Sequence, residues 1–110
     1  MLAEHTARIR ALNDRLRTGL TGGRIQVTHG VAALGADAAA QAWLAVSNFT
    51  DFSPGNDPYG EHDFGAFQLG AAQLFWKIDY YDTSLGGGAL DPADETSCSR
   101  ILTIMLAEEY

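Results

Sequence analysis

Hydrophobic positions in the first quarter of the chain predict a helix followed by a short strand. Ile9, Leu12 and Leu16 recur at intervals of three and four residues, which is the spacing of one helix face. We therefore predict a helix over residues 2–19, which ends at a group of glycines. Residues 24–30 (RIQVTHG) alternate between apolar and polar side chains and predict a strand.

The middle of the chain predicts a second helix, a turn-rich loop and a β-hairpin. Residues 37–49 are rich in alanine and lack proline, which favours a helix. Residues 50–60 contain Asp, Asn, Pro and Gly at a density typical of turns. Residues 61–69 and 72–82 are predicted strands, and a glycine at position 70 suits the first place of a two-residue type II′ turn between them.

The last part of the chain, residues 91–110, is predicted to be a central, buried helix. Asp91 is a suitable N-cap, Pro92 suits the first turn, and residues 101–106 are apolar on most sides. The predicted order is therefore α-β-α-β-β-α in a single domain, residues 1–110. This order predicts an α+β fold with a small three-stranded antiparallel sheet and helices packed mainly on one face.

The register of the hairpin decides which polar residues meet. A two-residue turn places Phe64 opposite Lys77 and His62 opposite Asp79. A slip of one residue would place Asp63 opposite Asp79, which is an unfavourable pair of like charges. The same register puts an apolar stripe on the other face, consisting of Phe67, Leu69, Trp76, Ile78 and Tyr80.

A pairing of His62 with Asp79, with Asp63 nearby, is the only candidate for catalysis. A carboxylate can orient an imidazole for general acid–base chemistry. The alternative is a structural pair of polar residues across two strands, and the lack of an evident nucleophile favours that alternative.

The charge of the chain is strongly negative and unevenly distributed. The net charge is −7 over 110 residues. Residues 1–30 hold five Arg against two acids (+3), and residues 31–110 hold twelve acids against Lys77 and Arg100 (−10). Such a surface repels nucleic-acid backbones and favours a basic protein partner, although the charge could simply keep the protein soluble. The arginines at positions 8, 10, 15 and 17 are expected to lie on a solvated face, partly neutralised by acids of the same chain.

Other signals argue against metal, cofactor or membrane chemistry. No HxH, HExxH or CxxC spacing occurs, so we expect no metal site and no cofactor. Glycines at 22–23 and 86–88 lack the pattern of a phosphate-binding loop. The single Cys98, with no signal peptide and no membrane-spanning run, predicts a cytoplasmic protein.

Three motifs resemble those of a family of small bacterial proteins known only as a domain of unknown function. They are NDPYGEHDFG (56–65), FWKIDYYD (75–82) and LTIMLAEEY (102–110). The resemblance implies genes that are frequent on plasmids and integrated mobile elements, among accessory and antirestriction genes. It supplies no catalytic residues.

The favoured hypothesis is an acidic, non-enzymatic protein-binding module that inhibits a host defence nuclease complex, of the anti-CRISPR or antirestriction type. Two alternatives remain: a small hydrolase or transferase that uses the His62/Asp79 pair, and a partner-binding protein of a plasmid-maintenance system. A homodimer is also conceivable, because the hairpin offers an edge strand. The residues expected to contact a partner are Asp51, Asp57, Tyr59, Glu61, Asp63, Phe75, Lys77 and Tyr81.

Overall fold

The computed structural model describes residues 2–110 and contains one four-stranded sheet, three α-helices and a final turn of 3-10 helix. The helices are α1 (Leu2–Gly19), α2 (His29–Ala32) and α3 (Ala36–Ser47). The strands are β1 (Arg24–Val27), β2 (Phe64–Leu69), β3 (Ala72–Tyr81) and β4 (Ser99–Leu106), and the 3-10 turn is Ala107–Glu109. The spatial order in the sheet is β1-β4-β3-β2. The α+β class is confirmed, but the three-stranded antiparallel sheet is wrong in strand number and in one pairing.

The two longer helices follow the predicted ones closely. α1 has the predicted bounds, and Ile9, Leu12 and Leu16 are all buried. α3 begins one residue earlier and ends two residues earlier than predicted, and its buried residues are Ala42 and Val46. In α1 the apolar spacing identifies the buried face, because residues at these intervals lie on one side of a helix.

The first strand is shorter than predicted and pairs in a parallel direction. β1 ends at Val27 because Thr28 serves as the N-cap of α2, where its hydroxyl accepts a hydrogen bond from the Val31 N–H. β1 runs parallel to β4, with Ile25 opposite Leu102. Parallel strands need a long connection, and here it contains α2, α3 and the whole hairpin.

The largest correction concerns residues 91–110, which do not form the predicted last helix. Residues 99–106 are β4, which lies between β1 and β3. Leu102 and Ile104 face the helices, and Thr103 and Met105 on the other face are also nearly inaccessible to solvent. A strand buried on both faces has a continuous apolar sequence, which periodicity cannot distinguish from a buried helix.

The residues that resembled a helix start form turns instead. The Asp91 carboxylate accepts a hydrogen bond from the N–H of Ala93, and the Asp94 carboxylate accepts one from Thr96. The same short side chains that cap helices also close turns on their own backbone. A capping signal without a periodic stripe behind it therefore does not establish a helix.

The β2–β3 hairpin has the predicted register. Phe64 lies opposite Lys77 and Leu69 lies opposite Ala72, so the turn contains two residues. Gly70 has a φ of +59°, and the residue after it does not have a positive φ, which is the pattern of a type II′ turn. β2 begins three residues later than predicted, at Phe64.

All three helices lie on one face of the sheet. Leu16 of α1, Val31 of α2 and Val46 of α3 belong to one buried cluster with Trp76 and Ile104. The predicted apolar stripe is confirmed, since its members are either in this cluster or packed against it. The opposite face of the sheet receives none of these helices.

Gly65 gives a sharp test of this packing. A Cβ at this position would collide with Nε1 of Trp76 and lie 2.6 Å from Cζ of Phe49. Both rings are buried, so they cannot move aside without losing contacts. We expect Gly65→Ala to lower the free energy of unfolding by about 2 kcal/mol, as measured by urea denaturation.

The matched control is Gly55→Ala, because nothing lies within 4 Å of a Cβ at that position. This variant should change the free energy of unfolding by less than about 0.5 kcal/mol. Equal effects of the two substitutions would contradict the packing of Gly65 against the two rings.

Candidate functional site

The part of the motif NDPYGEHDFG that precedes β2 is hydrogen-bonded to α1, and the strand begins only at Phe64. His62 has a φ of +54°, which is the left-handed region and interrupts strand alternation. Its Nδ1 lies 2.9 Å from Oδ1 of Asp14 in α1, and its Nε2 lies 3.7 Å from Oδ2 of Asp57. Its ring stacks on Phe52 at a centroid distance of 3.5 Å. The His62 side chain therefore connects the loop before β2 to helix α1.

The predicted pair of His62 and Asp79 is wrong. Asp79 forms an ion pair with Lys77, with Nζ 2.9 Å from Oδ2. The prediction extended strand alternation back to His62, whereas the left-handed backbone directs that side chain toward α1. The hydrolase or transferase hypothesis depended on this pair and loses its geometric basis.

A buried polar network joins the same segment to α1, β3 and β4. Asn13 is fully buried, and its Nδ2 donates to the backbone carbonyl of Glu61 at 3.0 Å and to the Tyr80 hydroxyl at 2.7 Å. Its Oδ1 accepts a hydrogen bond from Nε of Arg100 at 2.8 Å. The Tyr80 hydroxyl donates to Oε1 of Glu61 at 2.9 Å. Each of these contacts satisfies a group withdrawn from water, so the network stabilises the fold.

Burial also shifts the acid–base properties of this network. It raises the pKa of the Tyr80 hydroxyl and lowers the pKa of the Arg100 guanidinium. Both shifts arise first from loss of solvent. The raised pKa of Tyr80 keeps its hydroxyl protonated at physiological pH. Tyr80 thus acts as a hydrogen-bond donor and acceptor rather than as a base.

The arginines of α1 bond to other parts of the protein. Arg8 and Arg10 donate to backbone carbonyls of distant loops, and Arg15 pairs with Glu95 at 2.6 Å. Arg17 is only 5% exposed and donates to three backbone carbonyls at and just beyond the end of α3. Partial neutralisation of these arginines is confirmed, but a solvated position is wrong for Arg17.

The sheet face opposite the helices carries aromatic and charged side chains. Phe75, Lys77, Asp79 and Tyr81 alternate along β3 on this face, as the register predicts. Tyr110 lies across it, with its ring centroid 5.4 Å from that of Phe75 in an edge-to-face arrangement. The result is an aromatic surface with charged groups beside it, which we call the helix-free face.

A cavity of about 320 Å³ lies at the edge of the helix-free face, between the 55–59 turn and β3. It opens to solvent beside Tyr59 and Tyr110, which are 75% and 74% exposed. A groove of about 450 Å³ shares part of its wall and continues across β3 and β4. The cavity lining includes three aromatic and three charged residues: Tyr59, Phe64, Tyr110, Asp63, Lys77 and Asp79.

Asp63 is the unpaired carboxylate of this cavity. No side chain among residues 2–110 lies within ion-pair or hydrogen-bond distance of its carboxylate. Burial and then the charge of Glu61 raise the pKa of Asp63 from 3.8 to about 6, with smaller contributions from Asp57 and Asp79. A titratable group perturbed in this way inside an open cavity marks a candidate site.

Cys98 is buried, and burial raises the pKa of its thiol. A protonated, inaccessible thiol is a poor nucleophile. No group of three or more His, Cys, Asp or Glu side chains among residues 2–110 is arranged to hold a metal ion. None of the helices described for these residues has the length and apolar character needed to cross a bilayer.

The residues predicted to contact a partner fall into two groups. Asp57 and Glu61 are used inside the protein, since the Asp57 side chain is only 6% exposed and Glu61 bonds to Tyr80. Asp51 is exposed and bonds to Asn56 in the same loop. The helix-free face and its cavity hold the others: Tyr59, Asp63, Phe75, Lys77 and Tyr81.

Sequence reasoning missed Tyr110 as part of the site. It was expected at the end of a helix, whereas it follows β4 and a 3-10 turn that brings its ring onto β3. The β-branched residues within 101–104 were the available signal for a strand. If these residues had been predicted as a strand beside the hairpin, Tyr110 would have been expected close to β3.

Residues 27–109 match the model of a family described as "Protein of unknown function (DUF3768)". The chain belongs to this family. The resemblance to a family of unknown function is thereby confirmed. The residues matched to DUF3768 include β2, β3 and β4 and the whole lining of the cavity except Tyr110. Helix α1 and all of β1 except Val27 lie outside the match. No curated protein and no solved structure matches the chain.

The raised pKa of Asp63 predicts a pH-dependent effect on stability. The folded state holds this proton more tightly than the unfolded chain, so stability falls as pH rises from about 4 to about 6. Asp63→Asn removes the charge and keeps the shape. We expect it to raise the free energy of unfolding by about 1 kcal/mol at pH 8, after allowance for partial exposure, and to have little effect at pH 4.

Urea denaturation at the two pH values measures this difference. Asp37→Asn is the control, because Asp37 is exposed and lies in the first turn of α3, where its charge favours the helix. The control should be slightly destabilising at pH 8. A gain from Asp63→Asn of the same size at both pH values would show that its origin is not the carboxylate charge.

Proposed function

We propose that this protein is a non-enzymatic binding module that attaches to a basic surface of another protein through the helix-free face. The observation that carries the proposal is a face without helices that presents half-buried Phe75 and Tyr81 and exposed Tyr110, next to a cavity that contains the unpaired carboxylate of Asp63. Aromatic residues at the centre of a surface and charged residues beside them are typical of protein interfaces.

The distribution of charge supports a basic partner. Six of the seven Lys and Arg side chains bond to groups of the same chain. By contrast, Asp63 and Glu108 have no basic partner among residues 2–110. Because most of the cations are engaged within the chain and several acids have no basic partner, the accessible surface has a net negative charge and would attract a positively charged protein.

A nucleic-acid-handling defence complex is the partner class that we favour. Such proteins carry the basic surfaces that bind phosphate backbones, and carboxylates on a rigid scaffold can occupy those surfaces. The mobile-element setting implied by the family resemblance agrees with an inhibitor of the anti-CRISPR or antirestriction type. A partner in plasmid maintenance is the second candidate, and it would use the same face.

Binding to a panel of restriction nucleases and CRISPR effector complexes tests this proposal. Calorimetry at several salt concentrations should find at least one complex whose affinity falls as salt rises. Tyr59→Lys places a positive charge at the mouth of the cavity and should weaken that complex by at least about tenfold. Tyr59 is 75% exposed, so the substitution should leave the fold intact.

Leu44→Lys is the matched control. Leu44 is 57% exposed on α3, in the helix layer on the other side of the sheet. It should change affinity by less than about twofold, since it adds the same charge far from the proposed interface. The proposal fails if no member of the panel binds even at low salt, or if both lysine variants weaken binding equally.

A further inference from the structure

The cavity at the edge of the helix-free face combines aromatic walls with carboxylates. Tyr59 and Tyr110 stand at its mouth, and Phe64 packs edge-to-face on Tyr110 with ring centroids 6.0 Å apart. Aromatic faces attract cations through the ring quadrupole. The volume of about 320 Å³ is at the small end of the range for ligand cavities.

The negative charge in the cavity is incompletely neutralised. Lys77 is the only basic residue in its lining and is engaged with Asp79 at 2.9 Å. Asp63 is left without a basic partner, and the charges of Glu61 and Asp57 add to the negative potential at its carboxylate. The cavity therefore has the volume and the negative electrostatic potential to accept one further positive group.

We propose that this cavity receives a cationic side chain of the partner, an arginine or a lysine, which pairs with Asp63 and packs against Tyr59 and Tyr110. The proposal rests on the proposed protein-binding function and names the chemistry that its interface recognises. An organic cation fits better than a metal ion for two reasons. The lining is largely aromatic, and no group of three metal-ligating side chains exists among residues 2–110.

Lys77 acts as an internal competitor in this arrangement. Its ammonium group occupies Asp79 and repels an incoming cation. Lys77→Met keeps much of the side-chain length and removes the charge, so both carboxylates become available. Removal of the Lys77 charge should therefore strengthen cation binding. This direction is informative, because the loss of an ion pair would ordinarily be expected to weaken a binding site.

The acid–base behaviour of Asp63 agrees with this role. The charged groups that face it are Glu61, Asp57 and Asp79, with the Tyr80 hydroxyl and the Lys77 ammonium nearby. A bound cation favours the ionised carboxylate and lowers the pKa of Asp63. Cation binding should accordingly become tighter as the pH rises from about 5 to about 7, through the range in which Asp63 ionises.

A titration followed by NMR tests the proposal without the partner protein. The full chain is titrated with N-acetyl-arginine methylamide and, separately, with the lysine equivalent. Saturable shifts are expected at the Tyr59 ring and the Asp63 carboxyl carbon. N-acetyl-citrulline methylamide has nearly the shape of the arginine probe without its charge, and it should bind at least about tenfold more weakly.

Two variants test the assigned residues. Asp63→Asn should weaken binding of the arginine probe by at least about tenfold, and Lys77→Met should strengthen it by about threefold. Asp63→Asn is expected to be at least as stable as the natural chain, so unfolding does not explain a loss. The proposal is overturned if the citrulline probe binds as well as the arginine probe, or if Asp63→Asn leaves affinity unchanged.

The outcomes also separate this inference from the proposed function. If neither cationic probe binds but Tyr59→Lys weakens a partner complex, the helix-free face is an interface and the cavity is not its cation site. If the probes bind at Asp63 and no protein in the panel binds, the cation site stands and the proposed nuclease partner is wrong.

Discussion

The side-chain amide of Asn13 is the contact on which the arrangement of the site depends. It lies inside the protein, where it bonds to the carbonyl of Glu61, the hydroxyl of Tyr80 and the guanidinium of Arg100. One amide thus connects a loop and two strands to α1. If it were lost, the Tyr80 hydroxyl would keep only its bond to Glu61, and the Arg100 guanidinium would keep only its contacts with Pro92 and Cys98. Each group would then lose one hydrogen bond in a place that water does not reach freely.

The same attachment decides which acids of the motif remain available. Asp57 accepts a hydrogen bond from the N–H of His62, and Glu61 accepts one from Tyr80, so both are committed to the fold. The left-handed backbone at His62 turns that ring toward α1 and leaves the next residue, Asp63, in the cavity. The electrostatic character of the cavity is therefore a consequence of how the loop is held, since burial and then the charges of the committed carboxylates raise the pKa of Asp63.

Local patterns predicted the parts of this fold that depend on local rules. α1 and the hairpin register follow from apolar spacing and from Gly70, and both are confirmed. β4 could not be recognised in the same way, because a strand between two others is apolar on both faces and carries no alternation. His62 was misplaced for a different reason: its left-handed conformation is imposed by contacts with α1, which are distant in sequence.

An uncompensated carboxylate in a half-buried position is a cost that folding alone does not explain. Loss of solvent and three neighbouring acids all disfavour the charged form of Asp63, yet an asparagine at this position would avoid the penalty. Residues that oppose stability are found where function requires them, because selection for stability alone would replace them. Apart from a backbone hydrogen bond, the carboxylate has no favourable partner among residues 2–110, since Lys77 is already engaged with Asp79. On the proposal made above, a cation of the partner would relieve this penalty, and the cavity would thereby be coupled to a positively charged partner.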